Sequence, residues 1–266
     1  VFEVRDLWPQ GAVELNKIKG NFLIKAAYKF EKTCYLNSSL VVAASKGMKE
    51  SINERYCSVQ TLVIPNVADL ALFAACRERL SEEGGDKKAK CFIYAGSLGL
   101  MDDFEQCVDA MVLVRRNDIK LVVIGDGAER NDLEAKVKDL DLKNVEFIGL
   151  IPKTELIKWY SEAYASILTV KDNKVIQTFS PNKMFDSFAA GVPIIQNSTG
   201  WIKEMVEINK CGLNVEQHNP RSFADAITHL ADNPLERDVY AQNAFSLAQS
   251  EFDVDILAEK YISAIL

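Results

Sequence analysis

A doubly wound α/β fold is what this sequence predicts, and three observations carry it. Short runs that are almost wholly apolar recur along the second part of the chain, at Cys91–Ala95, Leu121–Gly125, Val145–Ile148, Ala165–Val170, Val192–Ile195 and Leu213–Val215. Strands apolar on both faces are what a parallel sheet covered by helices on both sides requires. Stretches with apolar residues at helical spacing alternate with them, near 102–115, 128–139, 153–161, 182–190 and 200–208, which is the strand–helix rhythm of βαβ units. Glycine-bearing turns follow the first three strands: Gly96-Ser97-Leu98-Gly99, Gly125-Asp126-Gly127 and Gly149-Leu150-Ile151-Pro152. In such a sheet ligands bind beyond the carboxyl ends of the strands, where these turns fall.

Before this unit the pattern is shorter. Val1–Arg5 reads as a strand leading into Asp6-Leu7-Trp8-Pro9, residues near 21–37 read as a helix, and Leu40–Ala44 as a buried strand. Ser45 is placed to cap a short helix, and Thr61–Ile64 reads as another strand, so two strand–helix–strand units fit a second parallel sheet. Pro65-Asn66-Val67-Ala68-Asp69 breaks the pattern, and the polar, glycine-bearing stretch 80–90 reads as loop, so the domain boundary is expected between 66 and 90. Three helices, near 220–232, 235–250 and 253–265, close the chain.

Composition narrows the class. The chain has 266 residues, 48% of them hydrophobic, and a net charge of −7, which disfavours a nucleic-acid partner needing a basic face. No apolar run approaches the roughly 20 residues of a membrane-spanning helix. Six scattered cysteines form no C-x-x-C pair and are expected to be buried free thiols. The two histidines, His218 and His229, accompany no motif, and no cluster of metal ligands stands out, so neither a metal nor a cofactor is expected. The G-x-G-x-x-G, P-loop and G-x-S-x-G patterns are absent. The chain starts at Val1 in a strand-like run, which suggests a fragment whose front is missing.

The chemistry is expected around Ser180-Pro181-Asn182-Lys183-Met184-Phe185-Asp186. Asn182 suits a helix N-cap and Gly191 a helix stop. A helix start offers free N–H groups and a favourable dipole to an anion, and Lys183 adds a full charge there. Asp186, one turn on, can accept hydroxyl donors. A phosphate site beside a ribose site is the sharp reading; an ordinary capped helix with a solvated Lys and Asp is the plain one. Lys171 and Lys174 lie in the polar loop 171–180 and are expected to be solvated.

Taken together, the three glycine turns, Phe147-Ile148-Gly149-Leu150-Ile151-Pro152-Lys153, Ser180-Pro181-Asn182-Lys183 and Ala189-Ala190-Gly191-Val192-Pro193 resemble glycosyltransferase family 4. The variant resembled is the bacterial surface-polysaccharide type that transfers amino sugars such as N-acetylfucosamine. Arg5-Asp6-Leu7-Trp8-Pro9 and Pro65-Asn66-Val67-Ala68-Asp69 also match it. The resemblance implies a GT-B fold: the last part of an N-terminal Rossmann-like domain (1–75), a complete nucleotide-sugar-binding Rossmann-like domain (76–250), and a terminal helix (251–266) packing back toward the N-terminal part.

It further implies a retaining transferase, metal-independent, taking a UDP-sugar and passing the sugar to a polyprenyl-diphosphate-linked acceptor at the inner membrane face. Capsule or O-antigen synthesis, in the cytoplasm with peripheral membrane contact, is the implied setting. Lys183, the helix start at Asn182 and the Gly96-Ser97 amides would meet the departing diphosphate, with Ser97 and Ser180 bonding phosphate oxygens. Asp186 would bind ribose, the Leu150-Ile151 backbone would read uracil, and Gly99, Asp126 and Gly127 would complete the donor site. Two departures stand out. No Arg or Lys follows Gly96 closely, and Thr178 occupies the position of the first of two family glutamates. A GT-B UDP-sugar 2-epimerase and a non-catalytic nucleotide-sugar-binding fragment stay open as alternatives.

Overall fold

The computed structural model describes residues 1–76, 89–99 and 101–266. Most of the polar stretch expected as loop at 80–90, and with it much of the expected domain boundary, lies outside the described residues.

The N-terminal sheet has three parallel strands in the order β1-β2-β3: β1 (Phe2–Val4), β2 (Val41–Ala43) and β3 (Thr61–Val63). Between them run α1 (Gln10–Glu14), α2 (Asn21–Leu36) and α3 (Lys46–Arg55). Ser45 is the N-cap of α3, its Oγ accepting the Met48 amide at 3.0 Å. Val4, Tyr35, Val41, Met48 and Ile52 form the core of this part. The buried face of α2 also carries Glu31, whose two carboxylate oxygens accept from Arg55 Nη1 at 2.7 and 2.8 Å, one of them also from the Tyr56 hydroxyl at 2.8 Å. A buried carboxylate is tolerable when paired in this way.

The second sheet has six parallel strands in the order β6-β5-β4-β7-β8-β9. They are β4 (Lys90–Ala95), β5 (Ile119–Ile124), β6 (Val145–Gly149), β7 (Ala163–Leu168), β8 (Ile194–Gln196) and β9 (Gly212–Asn214). The helices are α4 (Phe104–Leu113), α5 (Arg130–Asp139), α6 (Lys153–Glu162), α7 (Asn182–Ala189), α8 (Trp201–Asn209), α9 (Pro220–Asp232), α10 (Pro234–Leu247) and α11 (Val254–Ile265). Side chains alternate between faces along each strand. Phe92 and Tyr94 accordingly enter one core with Phe104, Met111, Phe223 and Ile227, while Ile93 and Ala95 enter the other with Phe185, Phe188, Ile202 and Phe252. The near-continuous apolar runs follow from this double cover.

Some expectations shift. β7 starts two residues earlier than expected, because Ala163 and Tyr164 are buried and Arg237 bonds both their carbonyls, at 3.2 and 2.8 Å. The helix expected to run to 250 ends at Leu247 and passes into a π-turn, Ala248–Phe252. Helix α1 was not foreseen. The cysteines form no disulfide, but the expected burial holds for Cys76, Cys107 and Cys211, while Cys34 and Cys91 are half-buried and Cys57 is exposed. The chain after the π-turn returns to the linker: Ala68 donates to the Phe252 carbonyl at 2.8 Å and bridges Asp253 in parallel. Leu257 and Tyr261 of α11 then share a cavity wall with Val42 and Pro65 of the N-terminal part.

Candidate active site

The carboxyl ends of β4, β5 and β6 carry the three glycine turns, and these turns pack on one another. Gly125 has φ +140°, and a Cβ there would lie 1.9 Å from the Gly96 carbonyl oxygen. A Cβ on Gly127 would lie 2.2 Å from the Leu98 carbonyl oxygen. These two glycines are required by loop-on-loop contact. The Gly96 amide is likewise occupied, donating to the Ile124 carbonyl at 2.9 Å, and the Gly99 amide donates to Asp102 at 3.3 Å. Asp126 turns its Oδ1 back to the Gly127 amide at 2.8 Å. After β6, Leu150 is 77% exposed while Ile151 packs against the second core.

Helix α7 begins at Asn182, with Pro181 in extended conformation as its N-cap and no side-chain cap. The expected Asn182 cap is thus displaced by one residue: proline's fixed φ suits the entry, and Asn182 is already helical. The amides of Asn182 and Lys183 have no i−4 carbonyl within the helix, so this helix start keeps its anion-binding character. Just before it, Ser180 Oγ is buried with no hydrogen-bond partner among the described residues, while its carbonyl accepts from Asn66 Nδ2 at 2.7 Å. Gly191, at φ +69°, is the glycine stop after α7.

Lys183 is not solvated. Its side chain is 10% exposed and its Nζ donates to Asp102 Oδ1 at 3.0 Å and to the Tyr94 hydroxyl at 2.7 Å, lying 4.1 Å from the Tyr94 ring centre. A Cβ on Gly96 would meet Lys183 Cε at 2.6 Å, so the ammonium sits directly beneath the first glycine turn. The Asp102 carboxylate also collects the Ser97 hydroxyl at 3.2 Å and the Tyr94 hydroxyl at 2.8 Å. The Ser97 proton therefore points at Asp102, not toward an outside phosphate. Burial pushes the Lys183 ammonium below its usual pKa, against the opposing pull of Asp102. Burial likewise drives the Tyr94 phenol upward, with the neighbouring Asp102 charge adding to it, so Tyr94 stays protonated as a donor.

Asp186 lies one turn further along α7, 8% exposed, paired with Lys153 Nζ at 3.0 Å. Burial raises its pKa, and Lys153 only partly offsets that. Asn182, Asp186 and Lys153 line a cavity of about 600 Å³ whose far wall carries Arg5 and Asn66 from the ends of β1 and β3. That volume lies within the usual range for a small-molecule site, roughly 300–1,000 Å³.

The loop leading into α7 is pinned and not loose as expected. Gln177 Oε1 accepts from Ser198 Oγ and the Thr199 amide at 2.8 and 2.7 Å, and Lys171 pairs with Glu129 at 2.8 Å. Its Thr178 carbonyl accepts from the Ser45 hydroxyl, and a Cβ on Gly47 would come 3.1 Å from Thr178 Cα. The first turn of α3 is therefore packed against Thr178. Tyr94 and Asp102 were not picked out from sequence, and Lys153 stood at the end of the Phe147–Lys153 motif with no role assigned to it. Their roles depend on partners up to 89 positions away, which no local pattern marks.

The comparisons with known proteins agree with this architecture. Residues 77–246 match the family model "Glycosyl transferases group 1", and the chain belongs to that family. An uncharacterised glycosyltransferase of Methanocaldococcus jannaschii is 23% identical over 90% of this chain and 63% of its own length. Alpha-monoglucosyldiacylglycerol synthase of Streptococcus pneumoniae is 23% identical over 85% of this chain and 52% of its own length. The chain thus spans between half and two thirds of these relatives. Among solved structures, Anabaena HepE in complex with UDP and glucose superposes with a TM-score of 0.77 at 17% identity, over 99% of this chain and 70% of that one. The fold is that of the GT-B glycosyltransferases.

Proposed function

We propose that the protein transfers a sugar from a UDP-sugar, with retention at the anomeric carbon, in the manner of family 4 enzymes. The observation that carries the reading is the junction at Ser180–Lys183. There Ser180, whose buried hydroxyl has no partner among the described residues, leads into a helix start, and Lys183 of that first turn lies against Gly96. Donors held in place before the reaction lower the barrier for a departing diphosphate, because they need no reorganisation as charge develops.

In this reading the α7 amides and Ser180 bind the diphosphate. Lys183, oriented by Asp102 and Tyr94, supplies positive potential beneath it. Asp186 accepts ribose hydroxyls in exchange for Lys153, and the Leu150-Ile151 backbone reads the uracil edge. Gly96 and Ser97 shape the turn over Lys183, with Gly99, Asp126 and Gly127 keeping the adjoining loops in register. The acceptor is a polyprenyl-diphosphate-linked sugar, and the sugar an N-acetylated amino sugar, as in capsule or O-antigen assembly. No described helix is long and apolar enough to cross a membrane, which agrees with a peripheral placement at the inner membrane face.

The test is incubation of the protein with UDP-N-acetylhexosamines and a lipid-linked acceptor, the product followed by mass spectrometry and its anomeric configuration by NMR. Transfer with retention supports the reading. Inversion, or UDP-sugar interconversion without transfer as in an epimerase, would overturn it.

A further inference from the structure

Helix α2 has two unlike faces. Ala27, Glu31 and Tyr35 are buried against the N-terminal sheet. On the opposite side Phe22 and Phe30 are 86% and 64% exposed, joined by exposed Leu23, Ala26 and Leu36. At 3.6 residues per turn Phe22, Ala26 and Phe30 form one stripe. Lys25, Lys29 and Lys32, all exposed, line one flank of it, and exposed Lys17 and Lys19 stand just before the helix. The one acid between residues 15 and 37 is Glu31, which is buried and paired with Arg55. A segment with five lysines and no exposed acid is thus a basic island on a chain of net charge −7.

We propose that this outer face of α2 docks on an anionic lipid surface. Phe22, Leu23 and Phe30 would enter the headgroup boundary and the lysines would meet lipid phosphates. Exposed aromatic groups bordered by lysines are the pattern of helices that lie in the plane of a membrane. A nearby lysine adds about 1 kcal/mol on an anionic leaflet. Charge favours this occupant over a second copy, because two lysine-lined faces would repel each other. The docking gives the proposed lipid-linked acceptor a surface to be met on, but it does not depend on the donor site.

The experiment is flotation of the protein with vesicles of phosphatidylcholine alone and with phosphatidylglycerol added. Partition is expected onto the anionic vesicles and to weaken with salt. Replacing Lys25, Lys29 and Lys32 together by alanine should lower it by about 100-fold, and F22S with F30S should abolish it. Circular dichroism confirms the fold of each variant, since these side chains lie outside the core. UDP affinity in solution should be unchanged in both, which separates this proposal from the nucleotide-sugar reading. Equal partition onto neutral vesicles, no partition at all, or variants that bind like the wild type would overturn it. So would a dimer in sedimentation analysis that F22S with F30S dissolves, because the face would then belong to a second copy.

Discussion

At Lys183 the sequence and the structure disagree about cost. A lysine in the first turn of a helix opposes the dipole, which by itself would leave stability equal or higher on its removal. In the fold it is the partner of buried Asp102. Breaking a buried pair from one side leaves an uncompensated charge, costing about 3–5 kcal/mol. Lys183→Ala is therefore expected to lose stability of that order in urea unfolding, and Lys183→Met combined with Asp102→Leu to recover much of it. A single variant as stable as the wild type would show that the pair carries no such weight. Asp186 couples stability to pH. Its folded-state pKa is raised above 3.8, chiefly by burial. Between these values the native state holds a proton that the unfolded chain has lost, so this group's contribution is greatest at low pH and declines as pH rises through the folded pKa. Stability measured relative to Asp186→Asn should fall as pH is raised from 3.8 through that window; a flat difference would contradict the raised pKa.

At the level of elements, the turns are the tightest features. Gly125→Ala sets a methyl against the Gly96 carbonyl from a positive-φ position, so a loss of more than about 2 kcal/mol is expected in thermal or denaturant unfolding. An unchanged Tm would mean that the two turns can separate. Much of the element pattern was legible in sequence. Strands such as Phe92–Ala95 and Leu121–Ile124 are apolar on both faces because helices cover both. The capping of α3 by Ser45 and the stop at Gly191 follow local rules. Helix α1 was not legible, since five residues containing a glycine show no periodicity. Nor was the environment of Lys183, because Tyr94 and Asp102 reach it only through the pairing of β4 with β7 and the packing of α7. Periodicity reports which face of an element is buried; it carries no information on which distant polar group lies across from it.

At the scale of the whole molecule, three side-chain ties join the two parts among the described residues: Ser45 to the Thr178 carbonyl, Asn66 to the Ser180 carbonyl, and Lys46 to Glu204 at 3.3 Å. Two of the three act on the loop that enters α7, so the N-terminal part braces the proposed donor site. Combining Ser45→Ala with Asn66→Ala should split the calorimetric unfolding transition, with the three-stranded part melting first. A single, unshifted transition would assign the coupling to apolar contacts around α11 instead. The central claim, that the start of α7 and Asp186 hold the diphosphate and ribose of a UDP-sugar, is tested most directly by titration calorimetry. UDP and inorganic pyrophosphate are each titrated into the protein and into its Asp186→Asn variant. One UDP per chain is expected, with UDP affinity weakened by about 10-fold or more in the variant, the scale of a hydrogen bond to a charged group, and pyrophosphate affinity unchanged. UDP bound equally by both proteins, or both ligands weakened alike, would contradict it.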